Sequence, residues 1–317
     1  MPFLKLVKTG TDIKFMKIKR LTLLVSSFLF LLSLISIFTK GLNLGIDFTG
    51  GSLIEVRFEE KISLNNLRSE MNNLDLGEIQ LQTIGEENDV VIRVQDKNND
   101  AITQTKTIEV IKNSLKDKSV DYRRTEFVGP KVGGELVNAG IIAVIFSLIG
   151  ILFYIWLRFQ WNFAIGAIIA LIHDVILTLG FFSVLQLEFN LATVAAVLTI
   201  AGYSINDTVV IYDRIRETMR KYKQITFDEI INLALNGTLS RTLMTSLTTL
   251  LALTALFIFG GVVISSFIIA LIWGVFIGTY SSLYVASPLL IFLKTDKRVS
   301  EQDWLFIFLI VNFITYN

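Results

Sequence analysis

The chain has no cysteine among its 317 residues, only three prolines and a single histidine. The missing thiols exclude disulfides, thiolate metal sites and cysteine nucleophiles, and the lone His173 excludes a multi-histidine metal centre. Three prolines and no glycine/serine-rich run leave little room for long flexible linkers. Charge is scarce too, at 18% against 52% hydrophobic residues. With a mean hydropathy of +0.60, this is the balance of a polytopic membrane protein. The net charge of +1 says nothing about nucleic acid, because in such a protein the placement of charge matters more than its sum. No nucleophile–base pair or metal cluster gathers on one side of the membrane, so neither enzymatic activity nor a cofactor is expected.

The charges are placed in an orderly way. Lys5, Lys8, Lys14, Lys17, Lys19 and Arg20 fill a basic segment, 1–20, ahead of an apolar run at 21–39 that is long enough to span a bilayer. No small-x-small site closes that run, so an uncleaved first helix with a cytoplasmic amino terminus is expected, and 40–135 then lie on the outer side. Five further spans are placed at 137–157, 163–185, 191–212, 242–259 and 262–293. Arg158, the cluster from Arg214 to Lys223, and Lys294, Lys297 and Arg298 all fall on the amino-terminal side, so both termini are expected in the cytoplasm. Thr226 and Glu229 form a capping box ahead of an apolar helix face, which predicts a short amphipathic helix over 226–236 on the cytoplasmic surface. In the tail, 294–317, the apolar stretch 304–314 is too short to span.

Segment 40–135 is polar and alternates in pattern. Strands are expected at 53–58, 79–84, 90–94 and 121–128, with helices at 63–74 and 103–115. The order is β-α-β-β-α-β, that of ferredoxin-like domains. The fold class is therefore a polytopic α-helical membrane protein with six spans and one α+β outer domain between helices 1 and 2. The glycines of GIDFTGG (residues 45–51) do not make a phosphate-binding fingerprint.

Polar groups inside the apolar runs are the candidates for chemistry. A charged Asp at mid-span costs about 2.5–3.5 kcal/mol on insertion scales, so His173 and Asp174 must face protein or water. They form either a helix-locking pair or part of a proton path. AGYSINDTVVIYDRIR (201–216) carries Ser204, Asn206 and Asp207 into the fourth span and leaves the membrane at Asp213 and Arg214. Arg241, opening the fifth span, is expected at a depth similar to that of Asp207. An Asp–Arg pair in an apolar setting is either a static bridge or a proton-coupled switch, and the residues alone leave both open. The sixth span repeats small residues at every fourth position, Ser266, Ala270, Gly274, Gly278 and Ser282, a face suited to close packing inside the bundle. The fourth has a similar row, Ala195, Thr199, Gly202 and Asn206.

GIDFTGG, the HDV triplet at 173–175, AGYSINDTVVIYDRIRE (201–217) and NGTLSRTLMTSLTTLLA (236–252), in that order with six spans, resemble the SecF branch of the SecD/SecF family. The resemblance runs from roughly residue 10 to 298. It implies an accessory subunit of the Sec protein translocase in the bacterial inner membrane, within the superfamily of proton-driven resistance-nodulation-division transporters. Such a subunit pairs with SecD, acts beside the SecYEG channel, with YajC and SecA-driven preprotein as further partners, and uses the proton motive force to promote export. The family's proton-pathway positions correspond here to Asp207 and Arg241, with an Asp contributed by SecD, and Asp213 matches a further motif position. A proton-coupled small-molecule antiporter of the same superfamily is the alternative. The stretch from Trp304 to Asn317 matches nothing in the family pattern.

Overall fold

The computed structural model describes residues 11–74, 76–83, 88–95, 101–116, 118–261 and 264–293. A 3₁₀ turn, Phe15–Ile18, leads into α1 (Lys19–Lys40), followed by β1 (Asn43–Leu44) and α2 (Ile46–Thr49). The α+β domain comprises β2 (Gly51–Phe58), α3 (Leu64–Asn72), β3 (Glu78–Thr83), β4 (Asp89–Gln95), α4 (Ala101–Ser114) and β5 (Val120–Val128). The chain then forms α5 (Pro130–Arg158), α6 (Trp161–Leu185), β6 (Glu188–Phe189), α7 (Leu191–Lys221), α8 (Phe227–Phe259), α9 (Ser265–Ser281), a π-helical turn at Ser282–Ala286, and α10 (Ser287–Phe292). Among the described residues, six helices are long and apolar enough to cross a membrane. Residues 84–87, between the strands expected at 79–84 and 90–94, fall outside the described residues, as does the whole tail from 294.

In the domain, antiparallel strands lie in the order β3-β4-β2-β5. The period of two sends Ile54, Val56 and Phe58 of β2 and Val90, Ile92 and Val94 of β4 to one face, where Leu67, Met71, Ile111 and Leu115 close the core. The opposite face presents Glu55, Arg57, Asp89 and Arg93. Together with β6 and the adjoining ends of α8 and α9 it walls a cleft of about 470 Å³. An ion pair joins Arg57 to Asp89. Arg93 reaches across to Glu188 of β6 at 2.8 Å and to Asn43 of β1 at 3.0 Å.

Three helices differ from the lengths that hydropathy predicts. The amphipathic segment at 226–236 and the fifth span are one helix of 33 residues, α8, opened by the Thr226–Glu229 capping box. Gly237 lies between the two parts without interrupting the helix, and Arg214 packs against it so closely that a Cβ there would lie 3.1 Å from the Arg214 Nε. α7 runs on to Lys221, nine residues past the apolar run, so Asp207 sits in the middle of a continuous helix. α5 begins at Pro130, seven residues early, because proline in the first helical turn costs no hydrogen bond.

Candidate functional site

α7 is the hub of the membrane part. Gly274 and Gly278 of α9 let it approach so closely that a Cβ on either would strike Ile200 or Ser204. The small-residue row of the sixth span therefore packs inside the bundle. The row on α7 does the opposite: Ala195, Thr199, Gly202 and Asn206 are all exposed, and a Cβ at Gly202 would meet nothing within 4 Å.

On its inner faces α7 is tied to three helices by hydroxyls. Ser204 Oγ donates to Asp174 Oδ2 of α6 at 2.5 Å, and Ser281 Oγ of α9 donates to the same oxygen at 2.7 Å. His173 Nδ1 lies 2.9 Å from Asp174 Oδ1. Asp174 is fully buried, so its carboxyl binds three side chains on three helices with no access to solvent. Thr208 Oγ1 bonds Ser282 Oγ at 2.8 Å, and Ser282 opens the π-helical turn. Tyr212 Oη donates to the carbonyl of Ala286, the last residue of that turn, at 3.0 Å. Towards α8, Tyr203 Oη donates to Ser246 Oγ at 3.3 Å, and Ser246 continues to Thr279 at 2.7 Å.

Asp207 lies one turn beyond Tyr203. Because α7 and α8 are antiparallel, the turn of α8 facing it is the one before Ser246, which carries Thr242. Asp207 is 2% exposed and Thr242 fully buried, and Asp207 Oδ2 and Thr242 Oγ1 both lack a hydrogen-bond partner. Arg241, next to Thr242, is exposed on the outer surface of α8. It attracts Asp207 electrostatically, but no ion pair joins the two among the described residues. The static bridge is therefore not formed in this structure. Asn206 is exposed on the neighbouring face of α7. Asp213 stands apart: it pairs with Arg158 at 2.6 Å where both side chains are about 40% exposed.

The structure thus separates the six candidates into three places. His173 and Asp174 belong to a closed knot, Asp207 to a buried position that leaves one carboxyl oxygen without a partner beside the outward-facing Asn206 and Arg241, and Asp213 to a surface ion pair. Thr242 and Ser281 escaped the sequence reading. Their only signal is a hydroxyl in an apolar helix, which most often bonds its own backbone. Among the described residues no cluster of His, Cys, Asp and Glu could hold a metal.

Comparison with known proteins decides the family. Residues 107–296 match the model of "Protein export membrane protein SecD/SecF, C-terminal", and residues 35–62 match the "SecD/SecF GG Motif". The chain is 47% identical over 305 residues to the protein translocase subunit SecF of Rickettsia rickettsii, covering 94% of this chain and 98% of that one. The chain belongs to the SecD/SecF family. The SecF subunit of Rickettsia prowazekii, a further member, is 46% identical over 305 residues, 94% of this chain and 97% of the other. In shape, the SecD/SecF architecture is shared with the crystal structure of SecDF from Thermus thermophilus, described as a translocon-associated membrane protein. The TM-score is 0.82 at 36% identity, over 90% of this chain and 39% of the SecDF chain. A second SecDF structure, in a super-membrane-facing form, gives 0.67 at 35% identity over 91% of this chain and 39% of that one. The chain thus spans about two fifths of SecDF. SecD/SecF membership makes it a multi-pass membrane protein of Sec-pathway protein export.

Proposed function

We propose that this chain couples the proton motive force to protein export as one half of a SecD-linked complex in the bacterial inner membrane, with both termini in the cytoplasm. Its partners in this reading are SecD, the SecYEG channel, YajC and the SecA-driven preprotein. It is a transport subunit and not an enzyme.

The observation that carries the reading is the pair of Asp207 and Arg241. A buried carboxyl oxygen without a partner is a free place for a proton, and it faces the helix that carries the nearest counter-charge. Arg241 and Asn206 meanwhile point outward from helices that cross a membrane, where an Arg costs about 2.5–3.5 kcal/mol in lipid. A protein surface covering them removes that cost, and the exposed small residues of α7 allow a partner backbone to come close. A partner carboxylate against Arg241 would complete a pocket in which Asp207 takes up and releases protons. Each charge crossing 100 mV yields about 2.3 kcal/mol, a bias of about fifty-fold between two helix packings.

Asp207→Asn keeps the shape of the side chain and removes its titration. In membrane vesicles holding the complex, it is expected to leave co-purification of SecD unchanged and to abolish the part of preprotein export that depends on the proton gradient. Export that still responds to the gradient would refute the reading.

A further inference from the structure

The GIDFTGG turn, residues 45–51, touches none of the proton-site residues, yet it is bound to the helix that carries them. Asp47 Oδ2 accepts a hydrogen bond from Leu191 N, the first residue of α7, at 2.9 Å. Two residues earlier, Gly45 N donates to Phe189 O at 2.8 Å, extending the parallel pairing of β1 with β6. Phe48 stacks on Phe189, with ring centroids 6.0 Å apart. The segment leading into α7 is thus held by backbone, carboxylate and ring contacts from one short turn.

The same turn is the root of the α+β domain. Gly50 and Gly51, at φ 71° and 114°, turn the chain into β2, the central strand that pairs with both β4 and β5. The chain leaves the domain through α5, whose Gly133 packs on the turn so closely that a Cβ would lie 3.3 Å from Asp47 O and 3.6 Å from Gly50 N. Entry to the domain, exit from it and the start of α7 therefore meet at one knuckle. α7 is a single helix from Leu191 past Asp207, with no proline in it. A shift of α7 at Asp207 reaches Leu191 undiminished, and Leu191 is bonded to Asp47.

We propose that the GIDFTGG turn is the joint through which movement of α7 drives the α+β domain, and that Asp47 is the positioning residue that holds the two together. Asn190 offers a built-in contrast, because it caps the same helix end from within, accepting from Thr193 N at 3.0 Å. A residue that merely stabilised the end of α7 would behave like Asn190. A residue that transmits motion would not.

The proposal rests on the reading of Asp207 as the proton site, so the experiment reads proton uptake and domain movement separately. Because the chain has no cysteine, spin labels can be placed through Asn66→Cys on α3 and Lys223→Cys beyond α7, in the complete SecD-linked complex in liposomes. The label distance is measured with and without an imposed proton gradient, and proton uptake is followed by an enclosed pH dye. Asp47→Ala is expected to remove most of the gradient-dependent distance change while proton uptake persists. Asp47→Asn, which keeps an acceptor for Leu191 N, and Asn190→Ala should both move like the parent protein. If Asp47→Ala does not assemble, Asp47→Ser, whose shorter side chain falls short of Leu191, takes its place. Normal movement in the Ala or Ser variant, or equal losses in these and Asn190→Ala, would overturn the proposal. Failure of Asp207→Asn to alter uptake would instead overturn the reading of the proton site.

Discussion

Asp174 and Asp207 are both buried carboxyls inside helices that cross a membrane, yet their surroundings are opposite. Asp174 receives His173, Ser204 and Ser281 from three helices and has no surface. Asp207 keeps one oxygen without any partner and has Arg241 nearby but not bonded. A satisfied group of this kind is a fastener, since moving any one helix breaks a bond that no water replaces. An unsatisfied one can change its proton without breaking anything. The same residue type thus holds the bundle together at one turn and leaves it open to change at another.

The contrast can be broken most sharply at the fastener. Asp174→Ala strands His173 and Ser204, leaves Ser281 only its own-helix bond to Gly278 O, and is expected to cost about 3 kcal/mol, measured as a lower unfolding temperature in detergent. Asp207→Asn should leave the stability within about 0.5 kcal/mol of the parent by the same measurement, since it removes no bond. Equal losses at both positions would erase the distinction. Ser281→Ala removes one of the three bonds to Asp174, and a loss of about 0.6 kcal/mol is expected, with a ceiling near 1.7.

The smallest effect concerns a third buried carboxyl, Glu55, which lies outside the membrane on the open face of the sheet. Burial raises its pKa, a shift that Arg124 partly offsets. A raised folded-state pKa means that the neutral acid favours the fold below about pH 4.3, and that this advantage is lost as pH rises through the folded value. Glu55→Gln is therefore expected to stabilise the full chain slightly at pH 7 and to change nothing at pH 4. Its neighbour Asp89 has the opposite sign. The Arg57 hydrogen bonds hold its pKa low, so its contribution is present above about pH 3.9 and fades as the pH falls through the folded value. Thermal unfolding across that range separates the two.

Much of this arrangement was legible in the residues. Alternation in 53–58 and 90–94 marked the two central strands of the sheet, and Asp207 was conspicuous as a charge in an apolar run. What escaped depends on partners distant in sequence. GIDFTGG could be recognised as a motif, but its bond to Leu191 spans 144 residues, and no local pattern records it. Ser281 and Thr242 look like any hydroxyl in a membrane helix until the neighbouring helices are in place. The true ends of α7 and α8 were hidden because hydropathy marks where apolar surroundings end, and a helix can run on beyond that point.

The continuity of α8 gives the molecule a lever. Thirty-three residues without a break make a rod of about 50 Å, with Arg241 not far from its middle. A tilt of about 5° around Arg241 would swing the Phe227 end by about 2 Å and the Phe259 end by slightly more in the opposite sense. At the Phe227 end, Asn232 and Asn236 grip the backbone of Met16 and Ile13, so the segment ahead of α1 would be carried along. A proton-driven change beside Arg241 would then register on both faces of the membrane at once.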